Sequence, residues 1–453
     1  MGLKQNVKEL AIKAGVNRAI VFAVLTYSWS ILAGPLSIFL IITYLTPPEQ
    51  GYYYTFYGVL ALANLLELGA GSVFQLMAGH IWAKLGLNEE GVIIGEEQGR
   101  GELAEVLRIA YKWFFWVGSA AFFSVAAGGL IFFNSKAGTP GGVTSAWLAF
   151  CLMGYLNFFV TPALYILDGC GQLHATSKYR LVQAAAGSVV TWAAILSGVG
   201  LWAPAAASAA SFAIMVSILF AKYRKFFDVL LRIKPRGLID WRTKIWPLQW
   251  RLAVSVASSY FTTAFVTPVL FYFCGPVVAG QMGVIGTITT AMVNIPLNWV
   301  RCRIPEFSWL IAKKRFEELD KLFRRAFGQM ALVALGLLLP VVLLLSGLHY
   351  LHYAWIHRLP ASLPLGLFML AAMFQLPVAA MACYLRAYRH EPYMYLTLGT
   401  GLAYAALVPL MARYSGISAV AASAALISLA AILPGVKIFF KKRRKWQKAA
   451  VTT

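Results

Sequence analysis

The chain has 453 residues, of which 60% are hydrophobic and only 12% charged, and its formal net charge is +22. Its mean hydropathy is +0.70. A soluble domain carries roughly twice that charged fraction, so the composition excludes a soluble globular protein. Because the basic residues sit between apolar runs, nucleic-acid binding is excluded as the explanation of the charge.

The first 17 residues, MGLKQNVKELAIKAGVN, are basic and amphipathic. They lack the short apolar core and small-residue cleavage site of a secretory signal, so no cleaved signal is expected. Asn6 stands where a myristoylation motif needs Ser or Thr. Apolar runs of about 20 residues, long enough to cross a bilayer core, then follow one another. They predict twelve spans, near 18–44, 52–80, 110–133, 144–167, 180–200, 204–222, 251–273, 277–300, 325–347, 362–385, 393–412 and 416–438. Lipid offers the backbone no hydrogen-bond partner, so these spans must be helices. The expected fold class is an all-α polytopic membrane protein with about 12 transmembrane helices.

The first span runs from Arg18 through Pro35 into the turn Thr46-Pro47-Pro48-Glu49-Gln50-Gly51 and the cluster Tyr52 to Tyr54. The same plan returns from Arg251 to Met282, where Pro268 follows its arginine at the spacing that separates Pro35 from Arg18. This reads as an internal duplication, which in transporters places the substrate path at the repeat interface. The expected division is an N-terminal lobe over 1–222, a cytoplasmic connector over 223–250, a C-terminal lobe over 251–440 and a basic tail over 441–453.

Charge sets the expected orientation. With the N-terminus inside, Lys136, Arg358 and Arg413 are the basic residues of the outward loops, out of 39 in the chain. The positive-inside rule then places both termini in the cytoplasm. Residues 84–109 hold six acids among glycines and read as a solvated loop leading into an amphipathic helix. The stretch 222–250 alternates basic with apolar residues and reads as a surface connector anchored by Trp241, Trp246 and Trp250. It resembles 301–325 and the terminal KKRRKWQK, and all three suit contact with anionic membrane lipids. The outward loop 348–361 carries His349, His352 and His357. Without a carboxylate and with Tyr350, Tyr353 and Trp355 interleaved, it reads as an interfacial belt rather than a metal site. The cysteines at 151, 170, 274, 302 and 383 have no metal or redox spacing and read as buried small side chains.

Enzyme signatures are missing. There is no carboxylate pair at useful spacing in a water-accessible loop, no Ser-His-Asp arrangement and no nucleotide-binding loop. Polar groups at membrane depth are costly and therefore informative. Glu67, in NLLELGAGS, is the acid set deepest in a span. It reads either as a proton-titrating or gating group, or as a helix-bonded structural residue beside the small face of Gly69, Ala70 and Gly71. Asp168 and Glu306 stand at inner helix ends, where nearby Lys and Arg would pair with them. Arg18 and Arg251 occupy matched places in the two copies. Two guanidiniums facing one cavity would bind a phosphate by paired hydrogen bonds at any relevant pH; each could equally be the basic residue that starts an inward helix end. Gln249, Asn294, Asn298, Arg301 and Arg303 nearby point to a wet cavity.

The segments LTPPEQGYYYTF and ALANLLELGAGSVFQLMAG resemble the first outward turn and second helix of the oligosaccharide (O-antigen, Wzx-type) flippases. These belong to the multidrug/oligosaccharidyl-lipid/polysaccharide exporter superfamily. WPLQWRLAVSVASSYF with PVVAGQMGVIGTI resembles the start of that family's C-terminal lobe, and the resemblance spans about 15–440. It implies two pseudo-symmetric six-helix lobes around a central cationic cavity. It implies that an undecaprenyl-diphosphate-linked glycan, the repeat unit of a polysaccharide or O-antigen, is flipped by alternating access from the inner to the outer leaflet of the cell inner membrane. The family's arginines in the first and seventh helices match Arg18 and Arg251. Asn298 and Arg301 join them as expected substrate contacts, and Glu67 is the expected coupling group. No cofactor is expected beyond possible H+ or Na+ coupling. Expected partners are a polysaccharide polymerase and glycosyltransferases. Related drug exporters place a cation-binding acid in the first helix, and this chain has none there. Two other readings remain: a cation-coupled drug antiporter of the same superfamily, and a membrane glycan polymerase or glycosyltransferase. The polymerase should carry a large outward loop, whereas the longest here is about 348–361.

Overall fold

A computed structural model of the chain describes residues 18–65, 67–88, 92–135, 139–233, 245–350, 358, 361–388 and 391–452. Helices dominate it: α1 (Arg18–Tyr44), α2 (Pro47–Leu65), α3 (Ala70–Trp82), α4 (Glu97–Asn134), α5 (Val143–Leu167), α6 (Leu173–Leu196) and α7 (Ala203–Arg232). They continue as α8 (Trp246–Thr263), α9 (Val266–Cys274), α10 (Pro276–Arg301), α11 (Ile304–Ala312), α12 (Phe316–Tyr350), α13 (Ser362–Arg386) and α14 (Met394–Thr452). Taking α2 with α3 and α8 with α9 as one crossing each, and α14 as two because it kinks at Gly416, the described residues cross a bilayer about twelve times. The exposed faces are apolar. Along α12, Leu332, Leu335, Leu339 and Leu343 form a stripe with 60–72% exposure, a surface that only lipid tails can cover.

The chain forms two compact units. The first comprises residues 1–45 and 59–256, the second residues 46–58 and 257–453. The described parts of 223–250 group with the first unit, and 234–244, including Trp241, lies outside the described residues. Trp246 and Trp250 are exposed at the start of α8. The helix α2 is shared, its first half belonging to the second unit.

In the first unit α1 packs along α6, α4 along α5, and α7 against both α5 and α6. Its core is aromatic: Phe114 stacks on Phe158 with centroids 4.7 Å apart. Trp147 is fully buried against the bare face of Gly129 and donates its indole N–H to the Ala126 carbonyl at 3.1 Å.

In the second unit α13 packs along α14, and α10 against α12, α13 and α9. Phe307, Phe323, Tyr384 and Phe439 cluster at one end of it. Beside them Asp320 of α12 accepts from the Tyr384 hydroxyl at 2.8 Å and pairs with Arg443 of α14. One arginine of the KKRRKWQK stretch is therefore turned inward, while Lys441, Arg444 and Lys445 are exposed.

Three expected elements differ from the structure. The span predicted over 52–80 is broken: α2 ends at Leu65 and α3 begins at Ala70, with Leu68 and Gly69 in the left-handed region at φ 54° and 68°. The seventh span is likewise two helices, α8 and α9, which meet at a 42° bend. Pro268 has no N–H to offer the carbonyl of Ala264, so the helical ladder loses a bond at that bend. The acidic loop contains a small antiparallel hairpin, β1 (Leu85–Leu87) with β2 (Ile93–Gly95), and helix α4 starts at Glu97, well before the predicted span. Ile93 is 1% exposed, so a buried apolar anchor holds the hairpin where the acid-rich composition concealed it.

Candidate functional site

Two polar sites stand out, one in each unit. In the first unit the α2–α3 break puts Glu67 at the head of α3. Its Oε1 accepts the backbone N–H of Gly71 at 3.1 Å, which satisfies one of the donors a helix start leaves unpaired. The Tyr165 hydroxyl also bonds the Glu67 carboxylate. No side chain fits at Gly71, since a Cβ there would lie 2.0 Å from the Tyr165 ring and 2.4 Å from the carboxylate.

Tyr165 leads into a kink over Asp168–Gln172 that joins α5 to α6, with Cys170 and Gly171 out of the helical conformation and Gly171 at φ 76°. The Asp168 side chain is 3% exposed and lies 2.6 Å from the Arg180 guanidinium, and it also accepts from the Thr176 hydroxyl. Glu67, Tyr165, Asp168 and Arg180 thus line up along one polar track. The sequence flagged Glu67 for its depth in a span and Asp168 as a helix-end acid with basic neighbours, the pairing that Arg180 supplies. It missed Tyr165 and Thr176, whose neutral hydroxyls are common in spans.

The second unit encloses a cavity of about 440 Å³ between α8, α9, α10, α13 and α14. Arg301 and Arg386 line it, each in the last turn of its helix, α10 and α13, where the helix dipole favours a cation. Asn294 accepts from Arg301 at 3.2 Å, and the Cys383 thiol lies within hydrogen-bond reach of the same guanidinium. Gln375 of α13 donates to Ser428 of α14 at 3.4 Å across the cavity wall. Threonines and serines from α8, α10 and α14 contribute hydroxyls, and Tyr393 and Tyr404 complete the lining. None of its lining residues among those described is a carboxylate. Glu391 stands just outside, its two oxygens 3.0 and 3.2 Å from Nε of Arg386.

Asn294 and Arg301 meet at the cavity, while Asn298 is half-buried and not among its lining residues. Arg303 pairs with Glu306 at 3.0 Å at the start of α11. Gln249 belongs to the first unit, fully buried. The side chains of Arg18 and Arg251 lie outside the described residues, as do those of His349, His352 and His357. Arg386 was not singled out, because a basic residue closing a span is what the positive-inside rule already accounts for. Gln375 carried a signal that went unread, as the lone amide within LFMLAAMFQLPVAAM.

No family model and no curated protein sequence matches the chain. Solved structures do. A multidrug resistance MATE family transporter of the MOP superfamily, in an inward-facing conformation, is similar with a TM-score of 0.64 at 16% identity, covering 94% of this chain and 99% of that one. The MATE multidrug transporter DinF-BH, solved in complex with a ligand, gives 0.60 at 14% identity, with 94% and 95% coverage. A MOP superfamily transporter from Pyrococcus furiosus, described as having a binding pocket of reverse polarity that suggests a different function, gives 0.55 at 14% identity, with 96% of each chain covered. The chain therefore has the fold of these MATE and MOP superfamily transporters, a multi-pass helical membrane fold.

Proposed function

We propose that the chain flips a polyprenyl-diphosphate-linked oligosaccharide, a polysaccharide or O-antigen repeat unit, across the inner membrane by alternating access. The observation that carries this reading is the polarity of the second unit's cavity. Two guanidiniums and many neutral hydroxyls and amides line it, without a carboxylate among its described lining residues. Arginine binds phosphate through paired N–H donors and keeps its charge, and hydroxyl-rich walls suit a glycan.

With both termini cytoplasmic, Arg301 and Arg386 stand at the cytoplasmic end of their helices. There they would meet a diphosphate head assembled on the inner leaflet. Arg18 and Arg251 are proposed as substrate contacts from their matched places in the duplication, and Asn298 stands one turn from Asn294. Glu67 couples the cycle to H+ or Na+ through the track that leads to Arg180.

A cation-coupled drug antiporter is the second reading, favoured by the multidrug transporters among the structural neighbours. It calls for an acid in the cavity, which the described lining does not supply. The test is complementation of a flippase-deficient strain. Arg301→Ala and Arg386→Ala at matched expression should cut surface glycan sharply and leave drug sensitivity unchanged. Full glycan in the double variant, with new drug sensitivity, would favour the antiporter.

A further inference from the structure

Arg386 faces the cavity and is also held by an acid. It lines the cavity, yet its Nε already holds both oxygens of Glu391 at 3.0 and 3.2 Å. Its Nη1 and Nη2 make no described hydrogen bond. Arg301 has a neutral companion, Asn294, and no carboxylate among the described residues. The two cavity arginines are therefore unequal: one has a neutral partner, the other is already paired with an acid of its own chain. Glu391 lies only five residues beyond Arg386, so the short connection keeps its carboxylate close whatever else binds. It also precedes Met394, the first residue of α14, where the helix start favours a negative charge. The side chains of Arg386 and Glu391 are 47% and 44% exposed, so the pair is weak and can be exchanged for another anion.

From this geometry we infer that Glu391 is a built-in competitor for the cavity's anion site. Its carboxylate holds the place on Arg386 that a ligand's diphosphate takes, and its return helps expel that ligand. Arg301 makes first contact and Arg386 completes the grip once Glu391 has let go. The carboxylate thereby limits affinity, which a carrier needs if it is to release what it binds. This inference rests on the reading of the cavity as an anion site, and the experiment separates the two.

The full chain in nanodiscs of neutral lipid is titrated with inorganic pyrophosphate, and binding is followed calorimetrically with thermal melting as a folding control. Wild type should bind, and Glu391→Gln should bind about fivefold more tightly, the scale of one half-exposed ion pair. Arg386→Gln should bind more weakly and should abolish the gain when combined with Glu391→Gln. If wild type binds and Arg301→Gln weakens it, but Glu391→Gln changes nothing, the competitor role is overturned and the anion cavity stands. A gain that persists in the Arg386→Gln background overturns the role as well. If neither wild type nor Glu391→Gln binds pyrophosphate, both readings fall.

Discussion

The first half of α2 is built into the second unit by glycines, and replacing one of them gives a direct test of that packing. Gly283 of α10 faces Tyr54 so closely that a Cβ would lie 2.0, 2.3 and 2.4 Å from three atoms of that side chain. Ordinary carbon contacts begin near 3.5 Å, so the ring would have to retreat by about 1.5 Å. It has nowhere to go by moving its helix, because a Cβ at Gly51, one turn earlier, would already lie 2.0 Å from the Pro276 carbonyl oxygen. Gly283→Ala is therefore expected to cost about 2–3 kcal/mol, the upper part of the range for overpacking. In detergent, thermal melting followed by size-exclusion recovery should show a clear drop. Tyr54→Ala in the same chain should restore part of it, since the two changes share one contact. Gly328→Ala on α12 is the control. Nothing lies within 4 Å of its position, and alanine there should be neutral or stabilising by up to about 1 kcal/mol. A Gly283→Ala protein that melts like wild type would refute the claim that residues 46–58 pack into the second unit.

Three further outcomes follow from the same reasoning. Arg180→Leu leaves the Asp168 carboxylate buried without its guanidinium, and should destabilise the first unit by about 3 kcal/mol; expression and melting in detergent would register it, and Asp168→Asn in the same chain should recover part of the loss. Gly71→Ala pushes on both Tyr165 and the Glu67 carboxylate, and is expected to abolish transport even where the protein is made at normal levels, as a complementation assay with immunoblotting would report. Asp320→Asn removes the charge that holds Arg443 and weakens the Tyr384 contact. A loss of about 1–2 kcal/mol should appear as faster tryptic cutting within 441–445, with the rest of the chain resistant.

Much of the fold was legible because hydrophobic length is a strong signal. Runs of about 20 apolar residues can do little but span, and the basic residues mark their ends. The breaks were harder to read. Gly69, Ala70 and Gly71 read as a small packing face beside Glu67 within one helix, whereas Gly69 stands at the break at φ 68°, with Leu252 2.7 Å from where its Cβ would be, so only glycine fits there. Pro35 and Pro268 hold matched sequence positions, yet Pro35 sits inside an unbroken α1 and Pro268 beside a bend. Proline permits a kink without dictating one, and local packing decides. In the cavity, Arg301 and Asn294 were flagged by their position in an apolar run. Arg386 and Gln375 were not, because the pattern that places a residue on a helix does not say which neighbour closes the space in front of it. The division of α2 between the units left no trace in the sequence, since that helix reads as one continuous run from Pro47.

The central claim is that the cargo is an anionic lipid-linked glycan. The most direct measurement is made in proteoliposomes carrying a polyprenyl-diphosphate oligosaccharide, with arrival of the sugar at the outer face read by lectin capture. Wild-type protein should speed arrival well above protein-free vesicles, the Arg301→Gln protein should lose most of that rate, and a cationic rhodamine dye should not be moved. Equal rates with and without the protein for the glycan, together with transport of the cationic dye, would contradict the account.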